Sequence, residues 1–388
     1  MEAGATLLKG GEKDGEKMSL YFSSRGYCLA GYWTPESAAE HPQAVEHLGI
    51  EFSRCGADVT QTYTYQAPQL QGSDCFPPGT SVTSEEVNAA ACAISSRVRA
   101  KRGCLVAGGL TTTGLYKPGR NCKYEVQEIF KKNLAILVSG GVDFIILEFL
   151  RSVTELEWAL EVCLESGLPV GAMLCMSPGG ELGGASVEQC AVRIAWAGAT
   201  LVGVNCLFDP QVCLAMMARM KAALEEAGLS STTYLMAQPM GWRAPDATSW
   251  GHSALPEFPF SLEPRQITRW EARKWAREAY KLGIRYIGGC CGFEPYHIRA
   301  MAEELALERG GLPEASQKSD HDLKIHAGLE GRGLARYKDK GSLDWWMSLE
   351  PSTGRPLSAI MAPKIDSEHK PALLGVGILD SCVLFACP

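Results

Sequence analysis

Short apolar, β-branched runs alternate with amphipathic stretches of helical length along most of this chain, and that alternation constrains the fold more than any other feature. Parallel strands need a crossover between them, and a helix is the usual one, so the pattern predicts a parallel sheet covered by helices. A weak first strand is expected at Met18 to Phe22. A helix led by Thr34 and Pro35 then runs to about Cys55, and a second strand follows at Ala57 to Tyr65. Helices from Thr83/Ser84 and from about Tyr124 lead into strands at Cys104 to Gly109 and Val142 to Phe149. The remaining strands are expected at Pro169 to Met176, Ala199 to Cys206, Thr233 to Pro239 and Ile284 to Cys291.

Eight such units favour a TIM (β/α)8 barrel over an open doubly wound sheet, which the pattern alone separates poorly. The barrel is expected over residues 1–310, with residues 1–24 an atypical leader that includes the weak first strand. The segment from Gly241 to Pro264, rich in Pro, Trp and other aromatic residues, is too long for an ordinary connection and reads as a functional loop or lid. From residue 311 to 388 the periodicity stops, apart from the pair Trp345 and Trp346, and this extension reads as an appendage with a disordered end.

A net charge of −7 with no basic block gives no support to a nucleic-acid surface. No apolar run approaches the roughly 18 residues of a membrane span, and the N-terminus lacks a signal-peptide core, so a cytoplasmic protein without membrane contact is expected. Fifteen cysteines are scattered without the framework of a small secreted domain, which fits reduced thiols. Most of them, Cys175 among them, lie among apolar neighbours and read as core residues.

Unusual side chains cluster at the C-terminal ends of the expected strands: Tyr65, Glu148, Phe149, Cys206 and the pair Cys290 and Cys291. In a barrel that rim carries the active site. Glycines around Cys290 and Cys291 let two neighbouring thiolates approach one ion, and Cys206 supplies a third. Three sulfurs on Zn²⁺ leave one tetrahedral position open, as in catalytic sites. Such a thiolate-rich site suits a bound substrate thiolate better than an electrophilic hydroxide, and so suggests alkyl transfer onto sulfur. The same residues also fit a buried thiol pair beside an inert core cysteine. Glu148 equally fits a structural ion pair, and the aromatic residues fit a core.

The runs GGCCGFEPYHIRAMAEEL (Gly288 to Leu305), GVNCLFDP (Gly203 to Pro210), LPEFPFSLEPR (Leu255 to Arg265) and GYWTPE (Gly31 to Glu36) resemble the betaine–homocysteine S-methyltransferase family. The resemblance covers about Arg25 to Pro356. It implies a zinc-dependent barrel that moves a methyl group from a small onium donor, betaine or S-methylmethionine, to homocysteine, producing methionine. It also implies that Cys206, Cys290 and Cys291 hold Zn²⁺ and that Glu148 holds the homocysteine amino group. Trp33 matches the tryptophan placed against the donor's cation, with Tyr65 and Phe149 as aromatic walls. STGRP (Ser352 to Pro356) falls where the family carries an oligomerisation arm, which implies a homotetramer built from dimers.

Two departures stand out. Gln66 occupies the place of a tyrosine found in the betaine-using enzymes, and a paralogue that also lacks this tyrosine uses S-methylmethionine. The family's glycine-rich first strand, with an aspartate for homocysteine, is replaced by KDGEKMSLYF, in which Asp14 is one residue out of register and also reads as part of a solvated charged leader. A catalytically weak or inactive member, acting as a zinc-binding, oligomer-forming subunit, is therefore the alternative reading.

Overall fold

The computed structural model describes residues 7–8, 34–65, 67, 82–243, 247–258 and 262–316. Eight parallel strands form one sheet: β1 (Leu7–Leu8), β2 (Val59–Gln61), β3 (Leu105–Leu110), β4 (Phe144–Leu150), β5 (Val170–Leu174), β6 (Leu201–Asn205), β7 (Tyr234–Gln238) and β8 (Ile284–Ile287). Their order is β1-β8-β7-β6-β5-β4-β3-β2. From β2 to β8 each strand lies beside its neighbour in sequence, and β1 returns beside β8. A doubly wound sheet would instead reverse its order at a switch point, so the topology is that of a TIM barrel. A helix follows each strand: α1 (Pro42–Arg54), α2 (Ser84–Arg102), α3 (Lys123–Ser139), α4 (Val153–Leu164), α5 (Val187–Trp196), α6 (Pro210–Glu226), α7 (Arg269–Leu282) and α8 (Pro295–Glu304).

Local chemistry sets the helix ends. Capping boxes open α2 at Thr83, α5 at Ser186 and α7 at Thr268, and left-handed glycines close α2 at Gly103 and α7 at Gly283. The expected single helix from Thr34 to Cys55 is two: a turn at Ser37–Glu40 and then α1. Pro42 causes the break, because it disfavours helical backbone at His41, which adopts φ −133° and ψ 53°. The first-strand segment expected at Met18 to Phe22 lies outside the described residues. The strand beside β8 is instead Leu7–Leu8, with Leu7 opposite Tyr286 and Leu8 opposite Ile287.

Two apolar layers result. The larger lies between sheet and helices, and a second fills the barrel interior with Val59, Ala107, Phe144, Ile146, Met173, Met236 and Tyr286. Side chains two apart on a strand share a face. Stepping by two from this interior layer, Val59 leads to Gln61, Ile146 to Glu148 and Met236 to Gln238, all buried. The interior thus changes from apolar to polar toward the C-terminal ends. Among the described residues no helix is long and apolar enough to cross a membrane.

The segment after β7 is mostly irregular, with short turns at His252–Ala254 and Glu263–Arg265. Its core is an aromatic stack in which buried His252 lies 5.9 Å from Trp242 and 4.6 Å from Phe258, ring centre to ring centre. Burial holds the His252 imidazole well below its usual pKa, so the ring packs as a neutral group.

Candidate metal and substrate site

The three cysteines come together from two loops that hang on the continuation of β7. Backbone N–H groups of Cys206 and Cys290 donate to the carbonyls of Gln238 and Pro239 at 2.9 and 2.7 Å, and Gly241 N–H donates to the Cys291 carbonyl at 2.8 Å. After β6 the chain turns sharply: Cys206 and Leu207 have φ of 62° and 56°, and Phe208 N–H donates to the Cys206 carbonyl at 2.7 Å. Asp209 then caps α6 by accepting from the N–H groups of Gln211 and Val212, with Pro210 in the first turn. After β8, Gly289 admits the Phe293 ring where any Cβ would overlap it.

The Sγ atoms of Cys206, Cys290 and Cys291 all lie within 4.8 Å of one another and are buried. Cys206 and Cys290 are 3.1 Å apart, and Cys290 and Cys291 are 3.9 Å apart. Three sulfurs at about 2.3 Å from a tetrahedral zinc would be about 3.8 Å apart, so the residues fit such an ion after a small outward shift of the first pair. Burial pushes the Cys206 thiol well above its ordinary pKa, and its hydrogen bond with Cys175 pushes in the same direction. A neighbouring positive charge is what would hold it as thiolate. His297, in the same sequence run, is engaged away from the sulfurs. Glu294 N–H donates to its Nδ1 at 2.9 Å, and its Nε2 lies 2.7 Å from the Ile267 carbonyl. It closes the capping box of α8.

Across the rim, Glu148 is fully buried and accepts a hydrogen bond from Gln61 Nε2. Gly109 on β3 makes room for the Gln61 amide, which a Cβ there would strike. Beside it the β4–β5 pairing slips: Leu147 pairs with Ala172 and Leu150 with Leu174, so β4 carries one extra residue. Phe149 sits in this bulge with φ 55°. Its N–H donates to Asn205 Oδ1 at 3.0 Å, and its ring meets Tyr65 edge-on at 5.4 Å. Among the described residues, Phe149, Cys206 and Leu207 are the non-glycine residues with positive φ. Such strain gathers where a site over-determines the backbone.

The structure thus brings together Cys206, Cys290 and Cys291 as one group, Glu148 with Gln61, and Tyr65 with Phe149. Trp33, Gln66 and Asp14 lie outside the described residues. All three cysteines lie beyond their strands rather than within them, Cys206 one residue past β6 and Cys290 and Cys291 three and four residues past β8. Gln61, Asn205 and Cys175 were not expected at the site. A two-residue step from the interior layer would have found Gln61, while Cys175 reads as an ordinary core thiol until Cys206 is placed beside it.

Residues 23–305 match the family model for homocysteine S-methyltransferase. The chain belongs to that family. It is 48% identical over 344 residues to betaine–homocysteine S-methyltransferase 1 of Danio rerio, covering 87% of this chain and 83% of that one. It is also 44% identical over 337 residues to the S-methylmethionine–homocysteine S-methyltransferase BHMT2 of Rattus norvegicus, covering 86% and 88%. The metallated form of the homocysteine methyltransferase MmuM from Escherichia coli shares the fold, with a TM-score of 0.55 at 19% identity over 78% of this chain and 96% of that one. This homocysteine S-methyltransferase family member is thus an enzyme of the betaine–homocysteine type by sequence, on a barrel whose rim carries three gathered sulfurs.

Proposed function

We propose that the protein transfers a methyl group from a small onium donor to the sulfur of homocysteine, producing methionine. The observation that carries the reading is the placement of three buried sulfurs on one rim, across from a buried carboxylate and an aromatic pair. Cys206, Cys290 and Cys291 would hold Zn²⁺, which would keep a substrate thiol ionised near neutral pH. Glu148, held by Gln61, takes the homocysteine ammonium group. Tyr65 and Phe149, joined by Trp33, offer aromatic faces to the donor's cation, an attraction of about 0.5–2 kcal/mol per ring. The substrate sulfur forms its new bond to the methyl carbon as the donor's own bond to that carbon breaks, and the donor's onium centre leaves as an uncharged amine or thioether. Burial of the rim residues excludes water from competing for the methyl group.

Gln66, an amide where betaine-using relatives place a tyrosine, favours S-methylmethionine as donor over betaine. Asp14 is assigned a part in homocysteine binding. The extension from residue 311, with Trp345 and Trp346, is assigned to assembly of a homotetramer from dimers in the cytoplasm. The test is methionine formation by reduced, zinc-loaded protein given homocysteine with either donor, metal content being measured on the same sample. Turnover with S-methylmethionine alone is expected. Stoichiometric zinc without turnover on either donor would overturn the reading in favour of an inactive zinc-binding subunit, the alternative that the replacement of the glycine-rich first strand by KDGEKMSLYF motivates.

A further inference from the structure

We infer that Asn205 is a positioning residue that sets donor recognition by holding the backbone of Phe149; this rests on the methyltransferase reading above. Asn205 ends β6, directly before the candidate metal ligand Cys206, and its side chain crosses to β4. The crossing answers a specific need. The extra residue in β4 breaks the ladder to β5 between Leu147 and Leu150, so the Phe149 N–H has lost its regular partner. Asn205 Oδ1 accepts that N–H at 3.0 Å. Because an N–H group faces it, the atom there must be the amide oxygen.

The bond does more than satisfy one donor. A phenylalanine at φ 55° is held against an intrinsic preference for the other side of the map, and without a fixed partner for its N–H the segment would relax toward extended backbone. In extended backbone Glu148 and Phe149 would face opposite sides of the sheet. As held, Glu148 reaches Gln61 and Phe149 reaches Tyr65. Asn205 is 1% exposed and its Nδ2 makes no hydrogen bond among the described residues, a cost that an aliphatic side chain of similar size would avoid. The amide is thus explained by what its oxygen holds. Asn205 joins the metal-bearing strand to the wall that faces the donor cation.

The experiment compares wild type, Asn205→Leu, Phe149→Ala and the double variant, all reduced and zinc-loaded. Asn205→Leu is expected to raise the donor KM about fivefold to tenfold, with zinc content and homocysteine KM within twofold of wild type. In the Phe149→Ala background the same substitution should add less than twofold, because its effect passes through Phe149. Hydrogen exchange at the Phe149 amide, read on the metal-loaded protein without substrates, should quicken at least tenfold in Asn205→Leu. Additive effects in the double variant, or unchanged exchange at Phe149, would overturn the inference. A wild type that turns over neither donor would instead sink the methyltransferase reading, while the exchange measurement still decides whether Asn205 holds Phe149.

Discussion

On the β6–β8 side of the rim, the cysteines sit where backbone geometry puts them: left-handed residues at Cys206 and Leu207, carbonyls of the β7 continuation, and a glycine that admits the Phe293 ring. On the β2–β4 side, Glu148 and Phe149 are held by two amide side chains, Gln61 and Asn205. The first kind of support fails as a unit when disturbed, since main chain cannot be replaced piecemeal. The second can be altered one hydrogen bond at a time. Under the proposed function, the chemistry falls on the stiffer side and substrate recognition on the side that single substitutions can tune.

The largest effect should come from the stiff side. Replacing Cys290 with alanine is expected to abolish stoichiometric metal binding and to lower methyl transfer by more than about 1000-fold, measured by metal analysis and methionine formation.

Gly289→Ala tests whether packing alone sets the cysteines. Its methyl group would collide with Phe293, so metal affinity should fall about 10–100-fold, with stability lowered by about 1–3 kcal/mol in urea titration. Unchanged affinity would mean that the Phe293 contact does not set the cysteine loop. On the tunable side, Gln61→Leu removes the donor to Glu148 and should raise the homocysteine KM about tenfold while metal content stays at the wild-type level. A loss of metal in this variant would erase the distinction between the two sides.

The smallest effect concerns Glu36, in the segment tied to the β2 side by a 3.3 Å hydrogen bond between Thr34 Oγ1 and Tyr63 OH. Burial pushes the Glu36 carboxyl up to about 7 from its ordinary 4.5. Folding therefore favours the protonated form. Its contribution to stability is complete below pH of about 4.5 and is lost as the pH rises through about 7. Glu36→Gln should thus match wild type near the acid end of this window and exceed its stability by about 3 kcal/mol at pH 8. Equal stability at both pH values would show that the carboxyl is solvated after all.

Strands β3 to β8 and the gathering of Cys206, Cys290 and Cys291 were legible in the sequence because they rest on runs of β-branched residues and on a rare cysteine pair. The first strand was not. Leu7–Leu8 pairs over only two residues and carries no alternation that could mark it within a charged, glycine-containing leader. The break before Pro42 was legible in principle, since proline restrains the residue before it. Gln61 and Asn205 escaped notice for a different reason: their importance lies in partners 87 and 56 residues away, Glu148 and Phe149, and spacing within one strand does not reveal such partners.

The extra residue in β4 also acts as a ruler. Glu148 and Phe149 are neighbours in the chain, so the group assigned to the amino acid and the group assigned to the methyl donor are anchored one peptide unit apart, about 3.8 Å between Cα atoms. That spacing is covalent. No rearrangement elsewhere on the rim can change the distance between these two anchor points.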